Sequence, residues 1–336
     1  MALTLTNSSL RPELWRKQLF ADVRDNLFME KFMGSTEQAM IQELEDLKKE
    51  AGSNVSFGLG TKLSGDGVTG DGELEGNEEV MTDYDEDLAI DQLRHAVRLK
   101  GRMDEKKSAY NMRTSAKARL SDWWAERLDK EILDKLCGKT TSTFSNTPTA
   151  AAATRAIYAG AAGAIASVTS TMKMDTKVLD AAKEMAKTAS PKIKPMRIGG
   201  KEYYVAILHI YDVTALKQDP VYNQSVRDAR ERGKENPIFT GAISEYNGII
   251  IHEHEYVYRT NDGSASAYVA RNVLCGQQAG VFAWGAPVSW VEKSFDYGNS
   301  WGISCGAIFG SIKPIFNSVD YGVVTMFTAS AAATTA

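Results

Sequence analysis

The chain has 336 residues, of which 43% are hydrophobic and 24% are charged, and this near-average composition excludes wholesale disorder and a fibrous repeat. A fold of this length buries roughly 75% of its unfolded surface, so one large domain or two ordinary ones are expected. The formal net charge of −4 argues against a general nucleic-acid binder, because neutralising phosphates requires a basic surface.

The N-terminal region predicts an arm followed by a helix. Apolar side chains recur at helical spacing between Glu37 and Glu50. The residues before them offer little core of their own. The chain does not open on a charged region followed by an apolar run, so we expect no secretory signal.

The next segment predicts a hairpin with a mobile, acidic tip. Residues 54–63 alternate as a strand does, and a glycine-rich stretch follows before strand-like or helical periodicity resumes at Glu86. Between Leu63 and Leu93 there are eleven carboxylates and no Lys or Arg, whereas residues 94–119 hold nine basic side chains against two acidic ones. A flexible acidic segment beside a basic helix suggests that identical copies bind one another, which points to assembly rather than catalysis.

The best-defined predicted element is a spine helix over residues 101–137. Gly138 stands where a glycine should end it. At 1.5 Å per residue the helix would be about 55 Å long, well beyond a small domain. Trp123 and Trp124 adjoin and cannot both face one core, so either one reaches a second layer or a neighbouring subunit, or they form an ordinary buried pair. The apolar side chains recur at every fourth position: Met112, Ala116, Leu120, Trp124, Leu128, Ile132 and Leu136.

The second half of the chain changes from helices to strands. Residues 139–172 are rich in Thr, Ser and Ala and predict a small-residue helix. Asp175 is the expected N-cap of an amphipathic helix that ends before Pro191. Gly199-Gly200 predicts a hairpin turn, a charged helix follows, and the later run NGIIIHEHEYVYR favours a strand. Short apolar runs separated by glycines complete the chain, so the predicted fold class is α+β.

His252 and His254 are the sharpest enzymatic signal. An H-x-H pair on a strand places both imidazoles on one face, a spacing that metals use. Glu253 and Glu255 would point to the opposite face, so a third ligand must come from elsewhere. An alternating surface or interface strand is the default interpretation, and a metal-dependent hydrolase is the alternative from another class.

Other chemical signals are weak. Cys137, Cys275 and Cys305 are far apart and lack CxxC spacing, so we predict neither disulfides nor zinc, and a reducing compartment fits best. The longest apolar stretch, residues 150–168, contains Arg155, so no membrane span or membrane partner is expected. Because no phosphate-binding glycine loop or nucleophile motif occurs, we predict no catalytic residue, no cofactor and no enzyme.

Three C-terminal passages carry a resemblance to a known family. They resemble the major capsid proteins of tailed phages, in particular the coat-protein family named after the N-four-type podophages. The order of elements agrees over nearly the whole chain, and the motifs are glycine and aromatic placements rather than a ligand set. The passages are GKENPIFTGAISEYNGIIIHEHEYV, LCGQQAGVFAWG at residues 274–285 and FDYGNSWGISCGAIFGSIKPIFNSVDYGVVTM at residues 295–326.

The resemblance implies the Hong-Kong-97-type capsid fold. It further implies a major capsid protein that assembles in the host cytoplasm, as hexamers and pentamers, into a virion capsid around double-stranded DNA. A portal protein and possible scaffolding and cement proteins are the other implied partners, and an encapsulin-like compartment shell is an alternative with the same fold. The implied parts are an N-terminal arm at 1–53, an E-loop hairpin at 54–98, the spine helix of a peripheral domain at 99–139, an axial domain at 140–250, and a return to the peripheral domain with C-terminal strands at 251–336.

One departure from that lineage concerns covalent cross-links. Its cross-linked member joins an E-loop lysine to a neighbour, whereas this hairpin has no lysine from residue 63 to 99. Noncovalent overlap is therefore expected, through surface pairs worth at most about 1 kcal/mol each that repeat around a closed shell. The candidate intersubunit contacts are acidic hairpin residues facing basic residues of an adjacent subunit: Asp83, Asp85, Glu86 and Asp87 with Arg102, Lys106, Lys107 and Arg113.

Overall fold

The computed structural model describes residues 12–45, 52–60, 65–80, 83–107, 112–142, 144–230 and 244–332. The α-helices in these residues are α1 (Pro12–Asn26), α2 (Arg102–Lys107), α3 (Met112–Leu136), α4 (Thr176–Thr188), α5 (Ile210–Gln218) and α6 (Pro220–Arg230). The strands are β1 (Met33–Gly34), β2 (Ile41–Leu44), β3 (Asn54–Gly60), β4 (Asp83–Ala89), β5 (Asp91–Arg98), β6 (Ala156–Tyr158), β7 (Met196–Ile198), β8 (Lys201–Leu208), β9 (Ser244–Tyr246), β10 (Ile249–Glu253), β11 (Arg259–Thr260), β12 (Val269–Cys275), β13 (Gly280–Phe295), β14 (Ser300–Ile312), β15 (Ile315–Phe316), β16 (Val319–Asp320) and β17 (Val323–Ala329). The α+β class is confirmed.

The first core lies between α1, α3 and a five-stranded sheet with the order β1-β2-β13-β14-β5. Strand β13 runs parallel to β2 and antiparallel to β14, which pairs antiparallel with β5. Trp124 of α3 is fully buried and packs against Phe309 of β14, with ring centroids 6.4 Å apart. Trp123 instead stacks on His95 of β5, at 4.2 Å. The adjacent tryptophans therefore have different contacts within one chain: Trp124 lies in the core, and Trp123 packs on the edge strand β5.

The second core belongs to an eight-stranded sheet with the order β6-β17-β12-β8-β10-β9, to which β7 and β11 add at β8 and β12. Its central strands are buried on both faces. Val205 and Ile207 of β8 face the core that contains α3, whereas Tyr204 and Leu208 contact the core under α4 and α5. Double burial explains the continuous apolar runs of these strands. The sheet contains β12 and β17 as well as β6 and β8. Its strands therefore come from both sides of the predicted domain boundary at residue 250.

Two helix predictions are wrong. The described part of the predicted helix Glu37 to Glu50 contains β2, whose backbone pairs with residues 280–283 of β13, so tertiary pairing overrides the local spacing. Residues 46–51 lie outside the described residues. The described part of residues 139–172 contains 3-10 turns and the short strand β6 instead of a small-residue helix. Gly160 there has a φ of +64°, which is incompatible with a continuing right-handed helix.

The spine prediction is confirmed for α3, whose 25 residues span about 37 Å. The predicted N-terminal part of the spine contains α2, and residues 108–111 lie outside the described residues, so a continuous helix of about 55 Å stays a prediction. Gly138 ends α3 as predicted, with a φ of +66°. Its N–H donates to Lys135 O at 3.0 Å and the Lys139 N–H donates to Asp134 O at 2.9 Å, the double bond pattern of a glycine helix terminus.

Shorter sequence signals also agree with the structure. Asp175 is the N-cap of α4, because its Oδ1 accepts a hydrogen bond from Val178 N at 3.0 Å. Gly199 and Gly200 form the turn between β7 and β8 with φ values of +57° and +81°. Both conformations favour glycine, as a tight hairpin turn requires.

Replacing Gly138 with alanine is expected to destabilise the subunit by about 1–3 kcal/mol. The added Cβ would lie 2.7 Å from the Thr149 carbonyl oxygen while the residue kept its left-handed φ. Denaturant unfolding of the purified subunit measures the loss. The matched control is Gly67→Ala, because Gly67 has a φ of +72° and a methyl group added there would have nothing within 4 Å. Equal losses in both variants would contradict the steric part of this account.

A buried polar cluster joins α5 to the eight-stranded sheet. Asp212 Oδ2 accepts a hydrogen bond from Asn272 Nδ2 at 2.8 Å, and the same nitrogen donates to Thr328 Oγ1 at 2.8 Å. Asn272 Oδ1 accepts from the His209 N–H at 2.8 Å. Burial raises the pKa of Asp212 to about 7, although hydrogen bonds from Asn272, Thr328 and Ser330 oppose that rise.

We expect Asp212→Asn to change how stability depends on pH. The folded chain holds the Asp212 proton more tightly than the unfolded chain, so this group contributes stability below its ordinary pKa of 3.8 that is lost as the pH rises toward about 7. The difference in unfolding temperature between variant and parent should therefore shift in favour of the variant from about pH 4 to about pH 7. Above about pH 7 the difference should stay constant. Thermal unfolding across a pH series measures this difference, and a difference that does not vary with pH would contradict it.

Candidate assembly surfaces

The predicted hairpin is present, and its base is fixed to the body of the same chain. Strand β3 pairs antiparallel with β4 along its whole length. Val55, Phe57 and Leu59 alternate along β3 and therefore share one face, which packs with Val281 and Tyr321. The two-stranded ribbon is thus held by an apolar contact with β13 and the C-terminal region.

The hairpin tip, defined here as residues 65–80, contains no helix or strand. Six of its side chains are carboxylates. Two of them accept hydrogen bonds within the tip: Glu79 from the Gly65 N–H at 2.7 Å and Glu78 from the Gly76 N–H at 2.8 Å. All six are exposed. Leu74 is 61% exposed and Val80, next to Glu79, is 84% exposed. The tip therefore offers both negative charge and apolar surface to a partner.

The four acidic contact candidates on β4 have different surroundings. Asp83 lies on the strand, but its side chain is not among those described. Asp85 is exposed, and Asp87 accepts a hydrogen bond across the ribbon from β3. Glu86 accepts from Ile315 N at 2.9 Å, and burial raises the pKa of its carboxyl group. Glu86 therefore binds its own subunit, and a contact from it to a neighbour remains a prediction.

The basic contact candidates lie on α2 and at the start of α3. Arg102, Lys106 and Lys107 are exposed, and none of them takes part in an ion pair with another described residue. Arg113 belongs to α3, and its side chain is outside the described set. The Arg102 N–H donates to Asn299 O at 3.0 Å, so α2 begins against the turn between β13 and β14. We call α2 together with residues 294–301 the peripheral tip.

The peripheral tip also exposes apolar side chains that sequence reasoning missed. Met103 of α2 is 70% exposed, Trp301 of β14 is 40% exposed, and Tyr297 in the turn is fully exposed. The turn itself holds Asp296 and Tyr297 at positive φ. Nothing in the sequence signals this exposure, because an aromatic residue beside a glycine turn fits a core equally well.

The outer face of the five-stranded sheet extends this basic surface. His95 of β5 stacks on α3, so Arg98, which alternates with it, points to the opposite face. The Arg98 guanidinium lies 4.4 Å from the centre of the Phe295 ring, and the Lys293 ammonium lies 5.3 Å from it. The Phe295 ring packs over Gly302, where a side chain would not fit, because a Cβ there would lie 2.7 Å from the ring. The face is therefore basic and partly aromatic.

The histidine pair has a packing role in the structure. The rings of His252 and His254 lie 5.9 and 4.7 Å from the ring of Phe28, and His254 Nδ1 accepts a hydrogen bond from Tyr256 N at 3.2 Å. Within the described ranges, no three His, Cys, Asp or Glu side chains are grouped to hold a metal ion. Nor does any described helix have the length and apolar character to cross a membrane. A hydrolase centred on this pair is not favoured.

A spine helix, a two-stranded ribbon and two sheets that both contribute to the core under the spine helix define the class of protein, a Hong-Kong-97-type phage capsid subunit. The solved capsid of Ralstonia phage GP4 matches with a TM-score of 0.84 and 28% identity, covering 100% of this chain and 97% of that one. The capsid of cyanophage Pam1 matches with a TM-score of 0.75 and 24% identity, covering 91% of this chain and 92% of that one. The fold implied by the sequence resemblance is confirmed.

The family follows from the sequence comparisons. A family model described as phage capsid protein matches residues 4–332, and the chain belongs to that family. The major capsid protein of Pseudomonas phage KPP25 is 33% identical over 366 aligned residues, which cover 97% of this chain and 96% of that protein. The resemblance to phage major capsid proteins therefore extends over the whole chain, and the family is a structural one.

Proposed function

We propose that this chain is the major shell subunit of a tailed phage and assembles with copies of itself into a closed icosahedral head around double-stranded DNA. The observation that carries the proposal is the agreement of the whole chain, in fold and family, with phage capsid subunits. Assembly into hexamers and pentamers, docking on a portal protein and formation in the host cytoplasm belong to the proposal. Scaffolding and cement proteins are further proposed partners.

The contact between copies is proposed to join the hairpin tip of one subunit to the peripheral tip of the next. The first carries six exposed carboxylates beside Leu74 and Val80. The second carries three exposed cations, with the exposed carboxylates Asp104 and Asp296 among them, beside Met103, Tyr297 and Trp301. Pairing of the carboxylates with these three cations orients the two surfaces, and apolar burial adds an attraction that salt does not screen. The acidic residues of β4, nearer the hairpin base, are proposed to add contacts where their side chains remain exposed.

Salt should separate these two contributions. At about 1 M salt the Debye length is about 3 Å, so charge attraction between exposed groups is largely screened. We expect sedimentation and negative-stain electron microscopy to show shells or capsomer rings at low salt, and partial loosening as salt rises. Shells indifferent to salt would contradict the electrostatic contact, while the absence of any assembly would contradict the function itself. Co-purified DNA, rather than cargo protein, distinguishes a phage head from a compartment shell.

The charge-reversal variant Lys106→Glu/Lys107→Glu should weaken assembly at low salt and remove much of its salt dependence. Each lost surface pair is worth at most about 1 kcal/mol, but the loss repeats at every subunit. The protein concentration needed for assembly, followed by light scattering, is the measurement. Lys192→Glu/Lys194→Glu makes the same change in net charge at two exposed lysines outside these surfaces. If both variants raise that concentration equally, net charge rather than the proposed contact explains the effect.

A further inference from the structure

The base of the hairpin is held by an unusual set of bonds to a single side chain. Asn146 Oδ1 accepts from the Ala89 N–H at 3.1 Å, and Asn146 Nδ2 donates to the Ala89 carbonyl at 3.0 Å. Ala89 is the last residue of β4. A neighbouring strand would bind both backbone groups of one residue in this way, so the asparagine amide replaces a strand at the point where the ribbon meets the body.

The same amide also reaches the five-stranded sheet. Asn146 Nδ2 donates to the Ser311 carbonyl of β14 at 3.2 Å. A Cβ added to Gly310 would lie 2.3 Å from the Ala89 carbonyl oxygen, so the end of β4 lies directly on the backbone of β14. Ala89 is thus in contact with both Asn146 and Gly310, and its position relative to the sheet is set by the two together.

The backbone of Asn146 is bound to α3 through Lys135, which also forms a buried ion pair. Lys135 Nζ donates to the Phe144 carbonyl at 2.6 Å and also to the Asn146 carbonyl. Its charge is balanced by Glu131 Oε1 at 2.9 Å, and the two side chains are only 2% and 0% exposed. Arg127 donates to the other Glu131 oxygen at 2.9 Å. A buried pair is tolerated when its remaining bonding capacity is filled, as it is here.

We propose that Asn146 is the positioning residue that sets the direction in which the acidic hairpin leaves the subunit, by linking α3 through Lys135 to the end of β4. This inference rests on the proposed function, because a shell needs every hairpin to meet its neighbour at a repeatable angle. The apolar face of the ribbon alone tolerates sliding, since apolar contact is not directional. Three hydrogen bonds to two strands specify one orientation.

The test compares Asn146→Ala and Asn146→Ser with the parent in the full, unassembled chain. Spin labels at Thr69→Cys in the hairpin tip and Ala118→Cys on α3, both exposed positions, report the distance between hairpin and spine. The native cysteines Cys137, Cys275 and Cys305 are buried and stay unlabelled. Labelled chains diluted into an excess of unlabelled chain keep the measured distances within one molecule.

We expect a distance distribution in the Asn146 variants that is broader than in the parent, with loss of uniform shell diameter on assembly. The control is Asn77→Ala, which removes a hydrogen bond to Glu73 O within the tip and leaves the base intact. Distributions as narrow as the parent's, or equal broadening in the control, would overturn the inference.

A second measurement needs no variant and therefore does not depend on whether the variants fold. The inference predicts that the Ala89 amide of the parent exchanges hydrogen as slowly as amides within β14, and exchange as fast as in the hairpin tip would overturn it. The distance and exchange measurements both use unassembled protein, and only the shell diameter requires assembly. A failure of shell formation by the parent would contradict the proposed function and leave the result on Asn146 standing.

Discussion

Replacing Trp124 with alanine is expected to lower the free energy of unfolding by about 3–5 kcal/mol, because a large buried ring leaves a cavity that the core cannot fill. Trp124 is fully buried in the middle of α3. Its ring packs edge-on against Trp123 at 5.3 Å and lies 6.4 Å from the ring of Phe309. It therefore joins the spine helix to β14. Urea unfolding of the unassembled subunit, followed by tryptophan fluorescence and circular dichroism, measures the loss.

The control for this prediction is Trp301→Ala. Trp301 is 40% exposed at the peripheral tip, so its removal leaves no closed cavity and should cost less than about 1 kcal/mol of subunit stability. The same substitution should weaken assembly, since the proposed contact uses this surface. Equal losses of stability for the two tryptophans would show that Trp124 does not have the core role assigned to it.

Asp320→Asn is expected to destabilise the subunit by about 3–5 kcal/mol, because it leaves buried cations without a carboxylate. Asp320 Oδ1 lies 2.7 Å from Lys313 Nζ, and the two side chains are 3% and 1% exposed. Arg155 is fully buried as well. Burial lowers the pKa of Arg155, and the negative charge of Asp320 partly offsets that decrease. Among the described atoms, Arg155 Nε and Nη1 have no hydrogen-bond partner.

The two ends of this ion pair should not be equivalent. Lys313→Met removes one cation and leaves Asp320 to balance Arg155, so its cost should be clearly smaller than that of Asp320→Asn. Denaturant unfolding of the two variants and the parent gives the comparison. A loss for Lys313→Met that equals or exceeds the loss for Asp320→Asn would contradict the claim that one carboxylate balances two buried cations.

Local patterns in the sequence predicted the elements that depend on local physics. The stripe of apolar residues gave α3, Gly138 marked its end, and Asp175 marked the start of α4. Each of these signals acts within a few residues, through side-chain periodicity, a left-handed φ or an N-cap bond. The acidic hairpin was likewise predictable, because alternation and glycine spacing are local.

Elements that depend on distant partners could not be predicted in this way. Residues 41–44 form a strand because β13, more than two hundred residues later, offers its backbone to them. Their helical spacing is real, but pairing and burial decide the outcome. Asn146 has no local signal at all, since nothing in the sequence near it points to Ala89 or Ser311. Its role appears only when three distant segments are brought together.

The candidate assembly surfaces were likewise predictable in part from the sequence. Charge separation between the hairpin and α2 is visible in composition, so the sign of the expected contact followed from the sequence. The exposure of Met103, Tyr297 and Trp301 could not be predicted from the sequence, because an aromatic residue beside a glycine turn fits a core equally well. Nor did anything in the sequence indicate that Glu86, one carboxylate in an acidic run, accepts a hydrogen bond from Ile315 N of its own chain, and its contact with a neighbour stays a prediction.

Single-particle electron cryomicroscopy of the purified, assembled protein tests the central claim most directly. We expect closed icosahedral shells in which the hairpin tip of each subunit lies on the peripheral tip of a neighbour, with acidic side chains facing Arg102, Lys106 and Lys107. Monomers or irregular aggregates under every assembly condition would contradict the proposed function. Closed shells in which the two tips lie apart would retain the function and contradict the contact.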